Sequence, residues 1–282
     1  MSQPYDQMLI FLHMPKVGGS TLNHIIDWNY NHVYKMQYYR QIEPFIALTD
    51  AEKRRYDCLR NGFFFGIDQY IPQKTTYITM LRHPVERFLS AYDYTMARRK
   101  REGLPDADSS IEQFLEQEPF QAHMQLSVLR GGPTIDDALH TPLGAEALEV
   151  AQQHLETRFA VTGVLDYYDE SLILMKRALG WSRIYYARRN VNTERSQVHD
   201  LPAHVQHVIE AACAPEFELY EWAKQRMEAK LAALDDDFHA ELADLRRANR
   251  RFERLYHLAA PVRNTPVWKL ARSAARRIVS GK

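Results

Sequence analysis

Met8-Leu9-Ile10-Phe11-Leu12-His13-Met14-Pro15-Lys16-Val17-Gly18-Gly19-Ser20-Thr21-Leu22-Asn23-His24 is an apolar run that breaks into a small-residue turn and restarts polar. Residues 8–14 are too few to span a membrane and carry no 3.6-residue stripe. The run therefore reads as a buried parallel strand, closed by Pro15 and the glycine pair. The turn has the composition of an anion cradle. Glycines let backbone N–H groups approach a phosphate, and the helix predicted over 21–30 adds its positive N-terminal end. Lys16 adds a mobile full charge, and Ser20 and Thr21 add hydroxyls. The same residues also suit an ordinary strand-to-helix turn with Ser20 as N-cap. A Walker A loop has its lysine after the glycines, whereas Lys16 precedes Gly18 and Gly19, which argues against a nucleoside-triphosphate kinase or ATPase.

With 282 residues, 45% of them apolar, the chain can bury a core as one large domain or as a domain with an appendage. Cys58 and Cys213 lie far apart and match no metal-ligand spacing, so both are expected as free thiols in a reducing compartment. The opening Met-Ser-Gln-Pro-Tyr-Asp-Gln lacks the basic start and apolar segment of a signal peptide. No apolar run approaches the length of a membrane span, and the expected location is the cytoplasm, with peripheral membrane contact as an option for the basic tail. A net charge of zero conceals an asymmetry. From Lys224 onward 14 Lys and Arg stand against 7 Asp and Glu, leaving 22 against 29 before it. The shift divides the chain into a domain over 1–223, a helical, coiled-coil-like extension over 224–260 and a basic amphipathic tail over 261–282.

Residues 75–81 are rich in β-branched and aromatic side chains and read as a second interior strand. They lead into Arg82-His83-Pro84-Val85-Glu86-Arg87-Phe88-Leu89-Ser90-Ala91-Tyr92, where Pro84 suits a helix start and Val85, Phe88, Leu89 and Tyr92 share one face. Arg82 then stands at the C-terminal end of a strand, where open α/β sheets bind ligands, with Ser90 about two turns into the helix. An arginine fork and a serine hydroxyl suit two contacts on one phosphate. A surface arginine and an ordinary helix serine are the plainer alternative.

Elsewhere the pattern predicts a short helix over 50–59, a buried strand within 61–72 and helices broken at Pro119 and Gly131-Gly132-Pro133. Further helices are expected over 144–157, 168–179, 202–212 and 215–227, with strands over 159–164 and 184–187. Strands alternating with helices give a mostly parallel, three-layer α/β fold. Residues 188–196 form a polar, basic loop, open to an anion or to solvent. Beyond Ala223, residues such as Leu231, Leu234, Phe238, Leu242 and Leu245 follow a three/four spacing, as in a short coiled coil or a helix packed on its own domain. Those helices offer a surface for homo-oligomerisation, and the tail could lie on an anionic membrane or stay solvated. A nucleic-acid partner is not expected, because the front domain is acidic and no reading motif accompanies the tail.

Taken together, two of these stretches resemble the carbohydrate sulfotransferases related to heparan-sulfate 2-O- and 6-O-sulfotransferases, a group with many bacterial members. Residues 13–22 are similar to that family's 5′-phosphosulfate loop, usually close to H-I-P-K-T-G-G-T-S-L. Residues 81–92 are similar to its 3′-phosphate motif, usually L-R-D-P-V-x-R-x-x-S-x-Y. Fainter echoes follow in order, His123-Met124-Gln125 to Gly131 and Val161-Thr162-Gly163-Val164 through Asp169-Glu170-Ser171-Leu172, and the likeness covers roughly residues 8–222. It implies a P-loop-NTPase-like fold, 3′-phosphoadenosine 5′-phosphosulfate (PAPS) as co-substrate, no metal, and in-line transfer of a sulfuryl group to a hydroxyl acceptor such as a glycan. Carried over by position, Lys16, Gly18, Gly19, Ser20 and Thr21 would hold the 5′-phosphosulfate, and Arg82 with Ser90 the 3′-phosphate. Lys16 would also stabilise charge building on the bridging oxygen.

Two positions depart from that pattern. His83 replaces the usual Asp of the second motif. The family's catalytic base is typically a His in a G-H-F-x-F-G segment, yet aligning Phe63-Phe64-Phe65-Gly66 there puts Asn61-Gly62 where Gly-His would stand, and Asp68 where a second His sometimes does. Asp68, then His83, then His13 are the candidates for the base. Three functions stay open at this point: an active sulfotransferase, a donor- or nucleotide-binding protein of the same fold without catalysis, and a membrane-associated structural module led by the tail. Acceptor-specific segments are expected within 29–71 and 98–142.

Overall fold

The computed structural model describes residues 6–36, 42–60, 64–132, 134–187, 196 and 198–258. Five strands, β1 (Gln7–Leu12), β2 (Val33–Lys35), β3 (Cys58–Arg60), β4 (Lys74–Leu81) and β5 (Phe159–Val164), make one sheet in the order β2-β3-β1-β4-β5. All four pairings are parallel. Successive side chains of a strand point to opposite faces, and Leu9, Ile10, Phe11 and Leu12 are all buried, so β1 is the covered centre of an α/β sheet.

The helices run in chain order as α1 (Gly19–Asn29), α2 (Glu43–Ile46), α3 (Asp50–Lys53), α4 (Pro84–Glu102), α5 (Ile111–Gln117), α6 (Met124–Arg130), α7 (Ile135–His140), α8 (Ala147–Arg158), α9 (Tyr168–Leu179), α10 (Ala203–Ala232) and α11 (Asp236–Leu258). No helix among the described residues is long and apolar enough to cross a membrane. Both cysteines are buried free thiols. A main core surrounds the sheet, and a second apolar cluster, including Phe88, Phe114 and Ile209, lies where α4, α5 and α10 meet.

Several expectations give way to longer-range bonding. The helix expected over 50–59 stops at Lys53, and Cys58–Arg60 instead pair with both β1 and β2. Asp57 holds the neighbouring chain by accepting the Asn31 and His32 amides at 3.0 Å each. Within 61–72, the described part forms a turn and a 3₁₀ helix over Ile67–Tyr70 rather than a strand; Asn61–Phe63 lie outside the described residues. Residues 184–187 join no ladder, because side chains meet their neighbourhood's backbone: Asn29 Oδ1 accepts the Ser182 and Arg183 amides, and Asn249 Oδ1 accepts that of Tyr186. The two helices expected around Pro215 are one, α10, with Pro215 inside it. Burial of Cys213, Glu216, Leu219 and Tyr220 on one side holds the helix through the missing N–H.

The composition shift at Ala223 falls within α10. Beyond it, Met227, Phe238, Leu242 and Leu245 belong to the main core. The three/four spacing is therefore a face turned to the same domain rather than one half of a coiled coil: α11 lies along α9. Arg177 bonds Glu241, Lys176 is paired with the same carboxylate, and Arg246 bonds Asp169 and Glu170. The basic tail over 261–282 lies outside the described residues, as do residues 188–195.

Candidate functional site

From β1 the chain crosses to β2 and β3 on one side, and from β4 it continues to β5 on the other. The C-terminal ends of β1 and β4 are therefore the switch point at which an open parallel sheet forms its ligand crevice. Residues 13–18 follow β1 and Arg82 follows β4, so both sequence motifs open here. The loop is anchored from below: Thr79 Oγ1 donates to Leu12 O at 2.8 Å inside the core. Lys16 then takes φ 70° and Gly18 φ 80°. The first is left-handed backbone that a non-glycine residue adopts only under constraint. One constraint is Arg82, whose Nη1 donates to the Lys16 carbonyl at 3.1 Å.

Gly18 caps α1 without a side-chain bond, and α1 has no acidic residue in its first turn. The positive end of that helix is thus left for an anion. Gly19 is required by close approach: a Cβ there would fall 1.9 Å from His13 Nε2, because the His13 ring, stacked on Phe11 at 5.1 Å, lies against it. Ser20 is exposed and Thr21 half-buried. Tyr168, from α9, donates to Gly18 O at 3.4 Å and bonds the Thr21 side chain; burial pushes its phenol well above the ordinary value. The Lys16 ammonium sits 4.4 Å from the centre of the Tyr94 ring on α4.

Arg82 is held by Gln125, from one of the fainter sequence echoes, and through it by Glu216, which the sequence did not single out. The Gln125 side chain accepts the Arg82 amide and donates to the Arg82 carbonyl, both at 2.9 Å. Glu216 in turn takes the Gln125 backbone and side-chain N–H groups at 2.6 Å each and the Leu126 amide at 3.2 Å. Arg87, fully buried like Glu216, faces that carboxylate at 3.5 Å. Burial raises the Glu216 carboxyl above its ordinary pKa, while Arg87 and the three N–H donors pull it back toward ionisation. Arg87, the second arginine of the motif, thus serves the first through two intermediaries. The available signal was an acid on the apolar stripe of Cys213, Leu219 and Tyr220.

The Arg82 guanidinium binds Glu86 at 3.1 Å and, with Ser90, borders a cleft of about 300 Å³. Glu86, Ser90 and Asp93 share one face of α4 by helical spacing. Asp93 accepts the Ser196 amide and hydroxyl at 3.1 and 2.8 Å, closing the cleft from the far side, where His199 also lies.

Lys16, Gly18, Gly19, Ser20, Thr21, Arg82 and Ser90 are therefore gathered at one end of the sheet; of the three candidate bases His13 and His83 stand at that end and Asp68 does not. Asp68 bonds Arg158 at 2.5 Å and accepts the Tyr77 hydroxyl at 2.6 Å. Tyr77 precedes Leu81 by four residues, about 13 Å along a strand, so Asp68 lies toward the opposite end. His83 is half-buried at the start of α4, edge-on to Phe217 and Tyr220, with Nδ1 buried and unbonded. His13 is the one of the three that lies against Gly19, at the start of α1.

Residues 2–263 match the family model described as galactose-3-O-sulfotransferase, a match that includes α10 and α11. The chain is 30% identical over 176 residues to galactose-3-O-sulfotransferase 3 of Bos taurus, covering 55% of this chain and 38% of the relative. It is 29% identical over 153 residues to the Homo sapiens protein of the same name, covering 49% and 34%. The matched part thus spans about a third of these curated relatives. The resemblance read from the two motifs narrows to one group of carbohydrate sulfotransferases: the chain belongs to the galactose-3-O-sulfotransferase family.

Proposed function

We propose that the chain is a PAPS-dependent sulfotransferase acting on a galactose hydroxyl of a glycan, the 3-hydroxyl in keeping with its family. The observation that carries this reading is the Arg82–Lys16 contact, which brings two elements suited to anions together at the switch point. The site suits the co-substrate. An uncapped helix end and Lys16 suit the phosphosulfate, and a fixed arginine with Ser90 suits the 3′-phosphate.

In the transfer, the acceptor oxygen forms a bond to sulfur in line as the bond from sulfur to the 5′-phosphate oxygen breaks. Adenosine 3′,5′-bisphosphate leaves with the bond's electron pair. Lys16 and the N–H groups of the loop stabilise the charge gathering on the leaving oxygen. The hydroxyl proton passes to a base at this end of the sheet, where His13 and His83 stand and Asp68 does not.

Calorimetry with adenosine 3′,5′-bisphosphate and a transfer assay with radiolabelled PAPS and galactosides test the reading. Binding and labelled product are expected. Absence of bisphosphate binding would sink it, and binding without transfer would favour the non-catalytic alternative that Gly62 motivates.

A further inference from the structure

Tyr94 is one of two exposed large hydrophobic side chains among the described residues, at 52% exposure. Its place is specific. It follows Ser90 by one turn of α4, and the Lys16 ammonium lies 4.4 Å from its ring centre. The ridge of α4 that borders the phosphate cleft therefore ends in an exposed aromatic face beside the lysine of the phosphosulfate loop.

Resting on the function proposed above, we infer that Tyr94 is the platform on which the acceptor's galactose ring stacks. The distances support it. A sulfate oxygen bonded to Lys16 lies about 3 Å from Nζ. The attacking hydroxyl must come within about 3.5 Å of sulfur. The attacking oxygen is thus confined to a shell reaching roughly 8 Å from Nζ, and the Tyr94 ring stands inside that shell. Chemistry supports it as well. The axial 4-hydroxyl of galactose leaves the opposite face of the sugar a continuous row of C–H groups. The face of the Tyr94 ring turned away from Lys16 can cover such a face, while the ammonium over the other side holds the ring in place. The equatorial 4-hydroxyl of glucose does not segregate its faces in this way, so Tyr94 also contributes to selection between the two sugars.

The full chain is assayed with methyl β-galactoside and methyl β-glucoside at saturating PAPS, and calorimetry gives the Kd for adenosine 3′,5′-bisphosphate. Tyr94→Ala is expected to raise the galactoside KM about tenfold, leave the bisphosphate Kd within about twofold and narrow the preference for galactoside over glucoside. Tyr94→Phe keeps the ring and is expected to stay close to the parent. An unchanged galactoside KM in Tyr94→Ala overturns the assignment. So does a bisphosphate Kd that weakens as much as the KM, since Tyr94 would then only support Lys16. A parent chain that binds no bisphosphate overturns the donor reading, and the platform with it, before any variant is compared.

Discussion

Arg82 donates from Nη1 to the carbonyl oxygen of Lys16 at 3.1 Å, across 66 residues of sequence. The bond fixes the backbone of the loop whose side chain carries the positive charge, and it leaves the rest of the guanidinium toward the cleft, where Glu86 now holds it. Lys16→Ala leaves this backbone contact in place and removes only the ammonium. Transfer is expected to fall about 100-fold or more, with a smaller loss of bisphosphate affinity, by radiolabel assay and calorimetry. Equal losses in both would show that Lys16 binds the ground state and transition state alike.

The contact between His13 and Gly19 makes a steric prediction. Gly19→Ala places a methyl group on the imidazole and should abolish bisphosphate binding by distorting the loop. Adding His13→Ala opens that space, so the double variant should regain part of the binding. A double variant no better than Gly19→Ala would disprove steric coupling at this pair.

Glu216 and Arg87 are a fully buried pair on which the Gln125 clamp depends. Glu216→Gln leaves Arg87 charged without a counter-ion, with an expected loss of about 3–5 kcal/mol in urea unfolding. Bisphosphate affinity should fall in the folded fraction as Arg82 loosens. A variant as stable as the parent would refute the ion-pair account.

His123 gives the fold an acid sensitivity. Burial is the largest cause lowering its pKa from 6.5, and Nδ1 meets Ser127 Oγ at 2.8 Å. The unfolded chain therefore binds the proton first as pH falls. The stability at stake is fully present above pH 6.5 and is lost as pH drops from there toward the lower folded value. Urea midpoints at pH 7.5 and 5 should differ less in His123→Gln than in the parent; an equal difference in both would remove His123 as a source.

Truncation after Ala223 should give an insoluble or unfolded chain, because it strips Met227, Phe238, Leu242 and Leu245 from the core. A soluble fragment with intact bisphosphate affinity would make the remainder a separable extension.

The local signals were strongest where one element suffices. Phe159–Val164 and Tyr168–Leu179 match their sequence-based spans, and β1 and β4 lie within a residue or two of theirs. Short strands such as β2 and β3 carry too few residues for a periodic pattern, so their pairing with β1 and with each other, not their propensity, makes them strands. The residues proposed to hold the phosphates stood out because anion binding demands particular residue types at fixed offsets from a strand end. Asp68 illustrates the converse: as an acid in an aromatic segment it resembled a base, whereas in the fold it is the partner of Arg158 and Tyr77.

By itself, the sequence determined the β1 turn, the Arg82–Ser90 motif and the α/β class, since each rests on covalent order, backbone freedom at glycine and hydrophobic spacing. Only the tertiary structure decided that the two motifs touch, that Gln125 and Glu216 hold Arg82, that α11 closes the core and that Tyr94 stands exposed beside Lys16. The reason is physical: these are contacts between distant segments, made by buried hydrogen bonds and packing that no local pattern encodes.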